Sequence, residues 1–288
     1  MYWYKKYPPT HKKDVGSLLS KVFVINDLHF RANTDGDPDS DGAIHEGLNR
    51  YYYASPNLMR SFVDKVNEEK PDLVLALGDL CDQPSDWPLF NDIWNDIDPT
   101  IPKYVTIGNH DLDVETYEQL LPILGYDNEI ENGGSKFNQT YKLNDNHRIV
   151  MIDTTFDDND DHGNHSTGVR MHSDCLPWLE NILLNSEESN ILIFQHVGVQ
   201  RPFHYHEGQR EEYRQMINNV LSIRPNLKIE SFFGHHHVVE KETYATITGN
   251  TGFLLPAMVM YEDGRFTELQ VFTNKTDSVQ WEIDYEVT

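Results

Sequence analysis

Short runs of apolar residues recur along the chain, and most of them are continuous rather than interrupted by polar residues. Continuous apolar runs of this length are typical of strands that are covered on both faces. The pattern predicts six such strands, at residues 22–25, 73–77, 104–107, 149–152, 191–194 and 229–233. Segments with helical spacing lie between several of them, and this alternation predicts an α/β architecture.

Four segments place apolar residues at the spacing of an amphipathic helix. Ser55 and Pro56 begin the first as N-cap and first-turn proline, and Pro71 ends it. The apolar stripes of the other three extend from Leu89 to Ile97, from Leu176 to Leu183 and from Tyr213 to Leu221.

Two regions depart from the alternation of strands and helices. Residues 141–152 predict a hairpin that turns at 144–146, and residues 244–288 predict an antiparallel meander of C-terminal strands. The polar stretches 30–54 and 156–172 are predicted loops. The absence of repeats and of low-complexity linkers favours one domain over residues 1–288, with residues 1–20 as an N-terminal extension.

The charge of the chain limits the molecules that it can bind. It has 47 acidic and 23 basic side chains, a formal charge of −24 on 288 residues, and 38% of its residues are apolar. The apolar fraction is sufficient for a core. A chain with this negative charge repels a phosphate backbone, and non-specific nucleic-acid binding is therefore disfavoured. An anionic substrate would need a local positive centre.

Cellular location is an expectation from composition alone. No segment approaches the roughly 18 to 20 apolar residues of a membrane span, and the N-terminal residues lack the apolar core of a signal peptide. Only two cysteines are present, Cys81 and Cys175, and they cannot form a disulfide framework. We therefore expect a cytoplasmic protein with no membrane contact.

Residues that can bind metal ions follow five of the predicted strands. Because the carboxyl edge of an open α/β sheet is where sites form, these residues are expected to meet. They are Asp27 and His29 after the first strand, Asp79 after the second, Asn109, His110 and Asp111 after the third, His196 after the strand at 191–194, and His235 and His237 after the last.

The residue types fit a pair of divalent cations. Imidazole nitrogens bind zinc, iron and manganese, and carboxylate oxygens add charge compensation, so that the identity of the metal stays open among Mn, Fe and Zn. A bridging carboxylate can hold two metals that share a hydroxide and displace a phosphoryl group in line. In extended backbone, residues i and i+2 point the same way, so Asp27 with His29 and His235 with His237 would each give two ligands, and His236 would be a bystander.

The five segments, in this order, resemble the motifs of the calcineurin-like metallophosphoesterase family from residue 27 to residue 237. The resemblance implies a β-sandwich flanked by helices, in four layers αββα. It implies that Asp27, His29 and His237 bind one metal, that Asn109, His196 and His235 bind the other, and that Asp79 bridges them. By the same resemblance, His110 stabilises the transition state or protonates the leaving oxygen, and Asp111 orients it.

A weaker resemblance concerns substrate binding. The segment Arg50-Tyr51-Tyr52 is similar to a segment of the ADP-ribose/CDP-alcohol diphosphatase branch, in which case Arg50 would hold a phosphate and Tyr52 a base. The alternative is a surface turn that packs on the following helix. His204, in a loop with Arg201 and His206, is a solvated residue or a phosphate contact.

Three other residues have a simpler interpretation than metal binding. Asp82 is expected to hold the loop under Asp79 by a hydrogen bond or helix cap, and Cys81 is expected to be a small buried residue. The acidic run at Asp37 has part of the spacing of an EF-hand loop, but its twelfth position is Leu48, which favours a solvated loop.

These features together predict a phosphoesterase that hydrolyses a phosphodiester or pyrophosphate bond with a hydroxide shared by two metals. The expected partner is a small phosphorylated substrate of nucleotide type, and the oligomeric state is left open. The alternatives are a phosphomonoesterase or protein phosphatase of the same superfamily, or a non-catalytic scaffold of the same fold. A nuclease is disfavoured by the charge of −24.

Overall fold

Two six-stranded sheets form the centre of the protein in a computed structural model. The structure describes residues 3–7, 17–33, 44–45, 50–163, 169–199, 206–238, 242–247, 250–256, 258, 265–272 and 276–284. Within these residues, no helix is both long enough and apolar enough to cross a membrane.

The elements are numbered in chain order. The strands are β1 (Trp3–Tyr7), β2 (Leu18–Ile25), β3 (Ile44–His45), β4 (Arg50–Tyr51), β5 (Leu73–Leu77), β6 (Lys103–Thr106), β7 (Gln139–Asn144), β8 (His147–Ile152), β9 (Asn190–Gln195), β10 (Lys228–Val238), β11 (Glu242–Ile247), β12 (Asn250–Pro256), β13 (Arg265–Phe272) and β14 (Thr276–Asp284). The helices are α1 (Ser55–Glu69), α2 (Trp87–Asn95), α3 (Asp111–Val114), α4 (Tyr117–Leu124), α5 (Cys175–Asn185) and α6 (Glu207–Ile223).

Each sheet has a parallel part and an antiparallel part. The first has the order β1-β14-β13-β2-β5-β6, in which β2, β5 and β6 are parallel. The second has the order β11-β12-β10-β9-β8-β7, in which β8, β9, β10 and β12 are parallel. Strands β3 and β4 form a separate two-stranded ribbon. Parallel strands end at one edge, so the residues that follow them are brought together.

The continuous apolar runs arise because both faces of each sheet are covered. In β2, Val22 and Val24 pack between the two sheets, while Phe23 packs with residues of α1 and α2 on the other face. In β9, Leu192 packs between the sheets, and Ile193 packs with α5 and α6. The layers therefore follow the order helix, sheet, sheet, helix, which confirms the expected αββα sandwich.

Most of the predicted elements are present, and a few differ. The hairpin at 141–152 is formed by β7 and β8. The predicted C-terminal meander is wrong as one unit, because β11 and β12 lie in the second sheet and β13 and β14 in the first. Ser55 is the first residue of α1 rather than its N-cap. Helix α4, which begins with a capping box at Thr116, was not predicted.

The interior between the sheets is expected to dominate stability. Leu192→Ala removes a side chain that is 1% exposed, and we expect it to lower the free energy of unfolding by about 2–5 kcal/mol, because little room exists for collapse around the cavity. Urea denaturation measures this difference. Ile223→Ala, at a position that is 67% exposed, is the control and should change stability by about 0.5 kcal/mol or less. Equal effects of the two substitutions would contradict the packing.

Candidate metal centre

Five loops meet at the carboxyl edges of the two sheets. Backbone hydrogen bonds join them: Asp27 donates to the Gly78 carbonyl, His29 to the Asp79 carbonyl, and Gly234 to the His196 carbonyl. The loop after β2 is therefore tied to the loop after β5, and the loop after β9 to the loop after β10. The side chains that these loops carry converge.

The expected ligands form two groups that share one residue. The ligand atoms of Asp27, His29, Asp79 and His237 lie within 4.8 Å of one another, and so do those of Asp79, His196 and His235. Asn109 belongs with the second group, because its Oδ1 lies 3.1 Å from His196 Nε2. The structure thus brings together all seven residues that the sequence predicts as ligands.

The shared carboxylate provides a test of whether this donor set fits metal ions. Asp79 is 1% exposed, and its Oδ1 accepts a hydrogen bond from the His110 backbone. Its Oδ2 is buried without a hydrogen-bond partner among the described residues, 3.6 Å from His29 Nε2 and 3.3 Å from His196 Nε2. A buried carboxylate oxygen without a donor is costly unless a cation satisfies it. The residues therefore fit two cations that share Asp79.

Hydrogen bonds on the outer side orient two of the imidazoles. His29 Nδ1 lies 2.7 Å from Asp82 Oδ1, and His196 Nδ1 lies 2.7 Å from the Leu77 carbonyl oxygen. With an acceptor at Nδ1, that nitrogen carries the proton, and the lone pair of Nε2 faces the centre. Asp82 was expected to hold the loop under Asp79, but its carboxylate contacts His29 instead.

Mutual electrostatics stabilise the charged forms at this buried place. Burial alone would raise the pKa of Asp79, but the nearby imidazoles of His196 and His29 hold it well below its usual range. Burial opposes protonation of His196, yet the Asp79 carboxylate raises the pKa of His196 to about 9. The negative charge of Asp79 is therefore the element that attracts positive charge into the centre.

The backbone at the ligands differs from the extended form that was expected. Five of the ligands have φ values in the left-handed region: 48° at Asp27, 43° at His29, 50° at Asp79, 71° at His235 and 46° at His237. The argument from alternating side chains along a strand is therefore wrong for these segments. Such conformations cost energy for residues other than glycine and concentrate at functional sites.

Two glycines permit the close approach of the second and third loops. Gly78 has a φ of +78°, and a Cβ there would lie 2.4 Å from the Gly108 nitrogen. A Cβ on Gly108 would lie 2.3 Å from the Asp79 side chain. Any larger residue would push the bridging carboxylate out of position.

His110 lies beside the centre, but Asp111 does not orient it. The His110 and His29 rings meet edge to face with centroids 5.3 Å apart. Asp111 accepts backbone hydrogen bonds from Leu80, Cys81 and Gly108, so its carboxylate ties two loops together. Burial and the neighbouring Asp79 raise the pKa of Asp111 to about 7. The carboxylate that contacts His110 is Asp113, whose Oδ2 lies 3.0 Å from His110 Nδ1.

Of the three residues expected to bind substrate, only Tyr52 has a side chain that the structure describes. Tyr52 is 5% exposed and its ring is covered by the Arg31 guanidinium, so its expected role in stacking on a base is wrong. The side chain of Arg50 lies outside the described part of the chain, as do His204 and the acidic run at Asp37. Arg31, which covers the Tyr52 ring, belongs to no motif that could identify it from the sequence.

Asp113, which contacts His110, also lines an acidic cavity. The volume of the cavity is about 530 Å³. The lining side chains include four more acids and an aromatic pair: Glu115, Glu118, Asp160, Asp161, Tyr117 and His162. Tyr117 and His162 stack with ring centroids 3.9 Å apart. The space next to His110 therefore has the size of a small-molecule subsite and disfavours negative charge.

Comparison with known proteins identifies the family. The model of the calcineurin-like phosphoesterases matches residues 20–239, which is most of the chain. The chain belongs to this family. The phosphoesterase is therefore a metal-dependent hydrolase of phosphoric esters, and the family implies a dinuclear metal centre at the two groups of ligands. No curated protein matches the sequence significantly.

Solved structures share the fold at low sequence identity. A dimetal phosphatase from Danio rerio is 15% identical, with a TM-score of 0.69 over 91% of this chain and 96% of that one. A purple acid phosphatase from yellow lupin (Lupinus luteus) seeds is 13% identical, with a TM-score of 0.56 over 92% of this chain and 54% of that one. Both are similar to the phosphoesterase in architecture.

The contact between Asp82 and His29 should control metal affinity. Asp82→Asn removes the charged acceptor at Nδ1, and we expect it to weaken the binding of one of two Mn²⁺ ions by about 10- to 100-fold. Calorimetric titration with Mn²⁺ measures both sites. Asp174→Asn, which changes an exposed carboxylate on another part of the surface, should leave both affinities unchanged. Unaltered binding by Asp82→Asn would contradict this role.

Proposed function

We propose that the phosphoesterase hydrolyses a phosphodiester or pyrophosphate bond in a small substrate of nucleotide type. The observation that carries the proposal is the acidic cavity lined in part by Asp113, the residue that contacts His110. Its carboxylates repel a dianionic monoester more strongly than a phosphodiester, whose reacting phosphorus carries a single negative charge. The same charges oppose a polynucleotide, and a volume of about 530 Å³ fits a small leaving group.

The ligand groups define what the metals would contribute. Asp27, His29 and His237 would hold one divalent ion, Asn109, His196 and His235 the other, and Asp79 both. When bound there, the ions activate water and polarise the phosphoryl oxygens. Manganese, iron and zinc all suit this mixture of nitrogen and oxygen donors.

His110 has the surroundings of a general acid. Its side chain is 28% exposed, so it can reach a substrate, and Asp113 accepts a hydrogen bond from its Nδ1. This contact fixes the ring and stabilises the imidazolium, which leaves the Nε2 proton free to pass to the leaving oxygen. Departure of an uncharged alcohol toward the acidic cavity would follow.

The expected partner and location fit this proposal. A small phosphorylated metabolite requires no protein docking surface. Cys81 and Cys175 are both buried free thiols, which supports a reducing compartment such as the cytoplasm.

Loss of the shared carboxylate should abolish activity. Asp79→Asn keeps the shape of the side chain but removes the charge that both groups share, and we expect hydrolysis of bis(4-nitrophenyl) phosphate to fall by at least about 10³-fold while circular dichroism stays unchanged. The exposed Asp145→Asn is the control. Retained turnover by Asp79→Asn would remove the basis of the two-metal assignment.

The substrate class has a separate test in the unmodified protein. A higher kcat/KM for 4-nitrophenyl phosphate than for diesters and ADP-ribose would overturn the proposed substrate class.

The role of His110 should depend on the leaving group. A poor leaving group such as an alkyl alcohol needs a proton, whereas 4-nitrophenol leaves readily without one. We therefore expect His110→Ala to lower kcat by about 10²- to 10⁴-fold with an alkyl phosphodiester, and by much less with a nitrophenyl diester. Asp113→Asn should show the same trend at smaller amplitude. Equal losses with both leaving groups would indicate that His110 transfers no proton.

A further inference from the structure

The guanidinium of Arg31 lacks hydrogen-bond partners beside the metal centre. Its Nε is buried without a partner, and Asp82 Oδ2, at 3.9 Å, is too distant for a hydrogen bond. No guanidinium nitrogen of Arg31 donates a hydrogen bond within the described chain. A guanidinium offers five N–H donors, and a partly buried one is normally satisfied. The side chain as a whole is 28% exposed although its Nε is buried, so solvent reaches part of the guanidinium.

The position of Arg31 is fixed despite the missing hydrogen bonds. Its Cζ lies 4.7 Å from the centroid of the Tyr52 ring, a cation–π arrangement. Its backbone N–H donates to Ser55 Oγ, which in turn donates to the Tyr52 carbonyl. The start of α1 and the preceding turn therefore form a platform that holds the guanidinium in one orientation.

Asp82 connects the platform to the ligand group that contains His29. Asp82 contacts Arg31 through Oδ2 and His29 through Oδ1, at 3.9 Å and 2.7 Å. The carboxylates of Asp82 and Asp86 balance the charge of Arg31 without accepting a hydrogen bond from it. Asp86 Oδ1 accepts from the Ala32 backbone, and Asp86 Oδ2 has no hydrogen-bond partner among the described residues. The planar donor fork is thus held next to the reacting site without an oxygen acceptor of its own.

We propose that Arg31 binds the second, non-reacting phosphate of a nucleoside diphosphate ester, with Tyr52 as its platform. The inference rests on the proposed function and narrows it to substrates with a pyrophosphate link. Two parallel N–H donors of a guanidinium match two phosphate oxygens, a geometry that lysine lacks. In such an ester water attacks the phosphorus that carries the alcohol, the bond from that phosphorus to the alcohol oxygen breaks, and the alcohol leaves with a proton from His110. The second phosphate stays bound to Arg31 throughout.

The selectivity between two substrates tests this role. The measured quantity is the kcat/KM for ADP-ribose divided by the kcat/KM for bis(4-nitrophenyl) phosphate. Arg31→Gln should lower this ratio about tenfold, mainly by raising KM for ADP-ribose, because only ADP-ribose has a second phosphate. Arg31→Lys should recover only part of the ratio. Arg214→Gln, which removes a surface ion pair with Glu211, is the matched control and should leave the ratio unchanged. An unchanged ratio in Arg31→Gln would overturn the inference.

An inhibitor pair separates this inference from the proposed function. With a generic aryl substrate and saturating Mn²⁺, Arg31→Gln should weaken inhibition by α,β-methylene-ADP about tenfold more than inhibition by AMP, whatever the natural substrate. Equal weakening would show that Arg31 does not recognise the second phosphate, even if diesters and pyrophosphates are good substrates. Unequal weakening in an enzyme that prefers monoesters would refute the proposed substrate class alone.

The platform has its own test. Tyr52→Phe keeps the ring beneath the guanidinium and should leave the inhibition ratio as in the parent protein, while Tyr52→Leu removes the ring and should shift the ratio toward that of Arg31→Gln. Thermal unfolding identifies a Tyr52→Leu protein that is not folded. A folded Tyr52→Leu protein with the parent ratio would show that the stacking has no role in phosphate recognition.

Discussion

The buried carboxylate of Asp79 is the interaction on which the site depends. It lies where two groups of ligands meet, and its Oδ2 has no hydrogen-bond donor among the described residues. In a protein interior this arrangement is unfavourable unless positive charge is present. The imidazoles of His29 and His196 lie within 3.6 Å and 3.3 Å of that oxygen, with their Nε2 atoms directed inward. Cations satisfy both the oxygen and the lone pairs, so the donor set and its cofactors require each other.

Such a centre needs a rigid support, because its backbone is strained. Five of its ligands have left-handed φ values, each of which costs roughly 1–2 kcal/mol for a residue other than glycine. The parallel strands supply the compensation: their buried faces pack on both sides, and their ends place the loops within backbone hydrogen-bond distance of one another. Asp111 adds two further bonds between the second and third loops and one within the third loop. The stability of the sandwich therefore offsets the energetic cost of the strained backbone at the ligands.

Much of the fold and of the ligand set could be predicted from the sequence, because both depend on local patterns. A strand covered on both faces is continuously apolar, and a ligand that follows it lies at the sheet edge whatever the loop conformation. The left-handed φ of Asp27 and His237 could not be predicted, since it depends on contacts with other loops. The division of β11 to β14 between two sheets is likewise decided by packing across the chain.

The same reason explains the two functional residues that were missed or misassigned. Asp113 and Asp111 are alike in sequence, and only the fold directs Asp113 to His110 and Asp111 to the loop backbone. Arg31 belongs to no recognisable motif, and its importance depends on Tyr52, which is 21 positions away in the sequence. The sequence motifs contain the residues that bind metal. The side chains proposed to recognise substrate are far apart in the sequence, and only tertiary packing brings them together.

The distribution of charge around the centre resolves how so acidic a protein can bind an anion. The net charge of −24 repels phosphates at a distance, but this repulsion between exposed charges is screened beyond about 8–10 Å at physiological salt. Within that range the local groups decide the orientation. In the proposed mode of binding, Arg31 attracts the second phosphate, whereas the carboxylates that line the cavity at Asp113 repel negative charge. A substrate with two phosphates and an uncharged leaving group would meet both conditions, with its second phosphate at Arg31 and its leaving group toward the cavity. The acidic surface thus contributes to the direction of binding and does not merely oppose it.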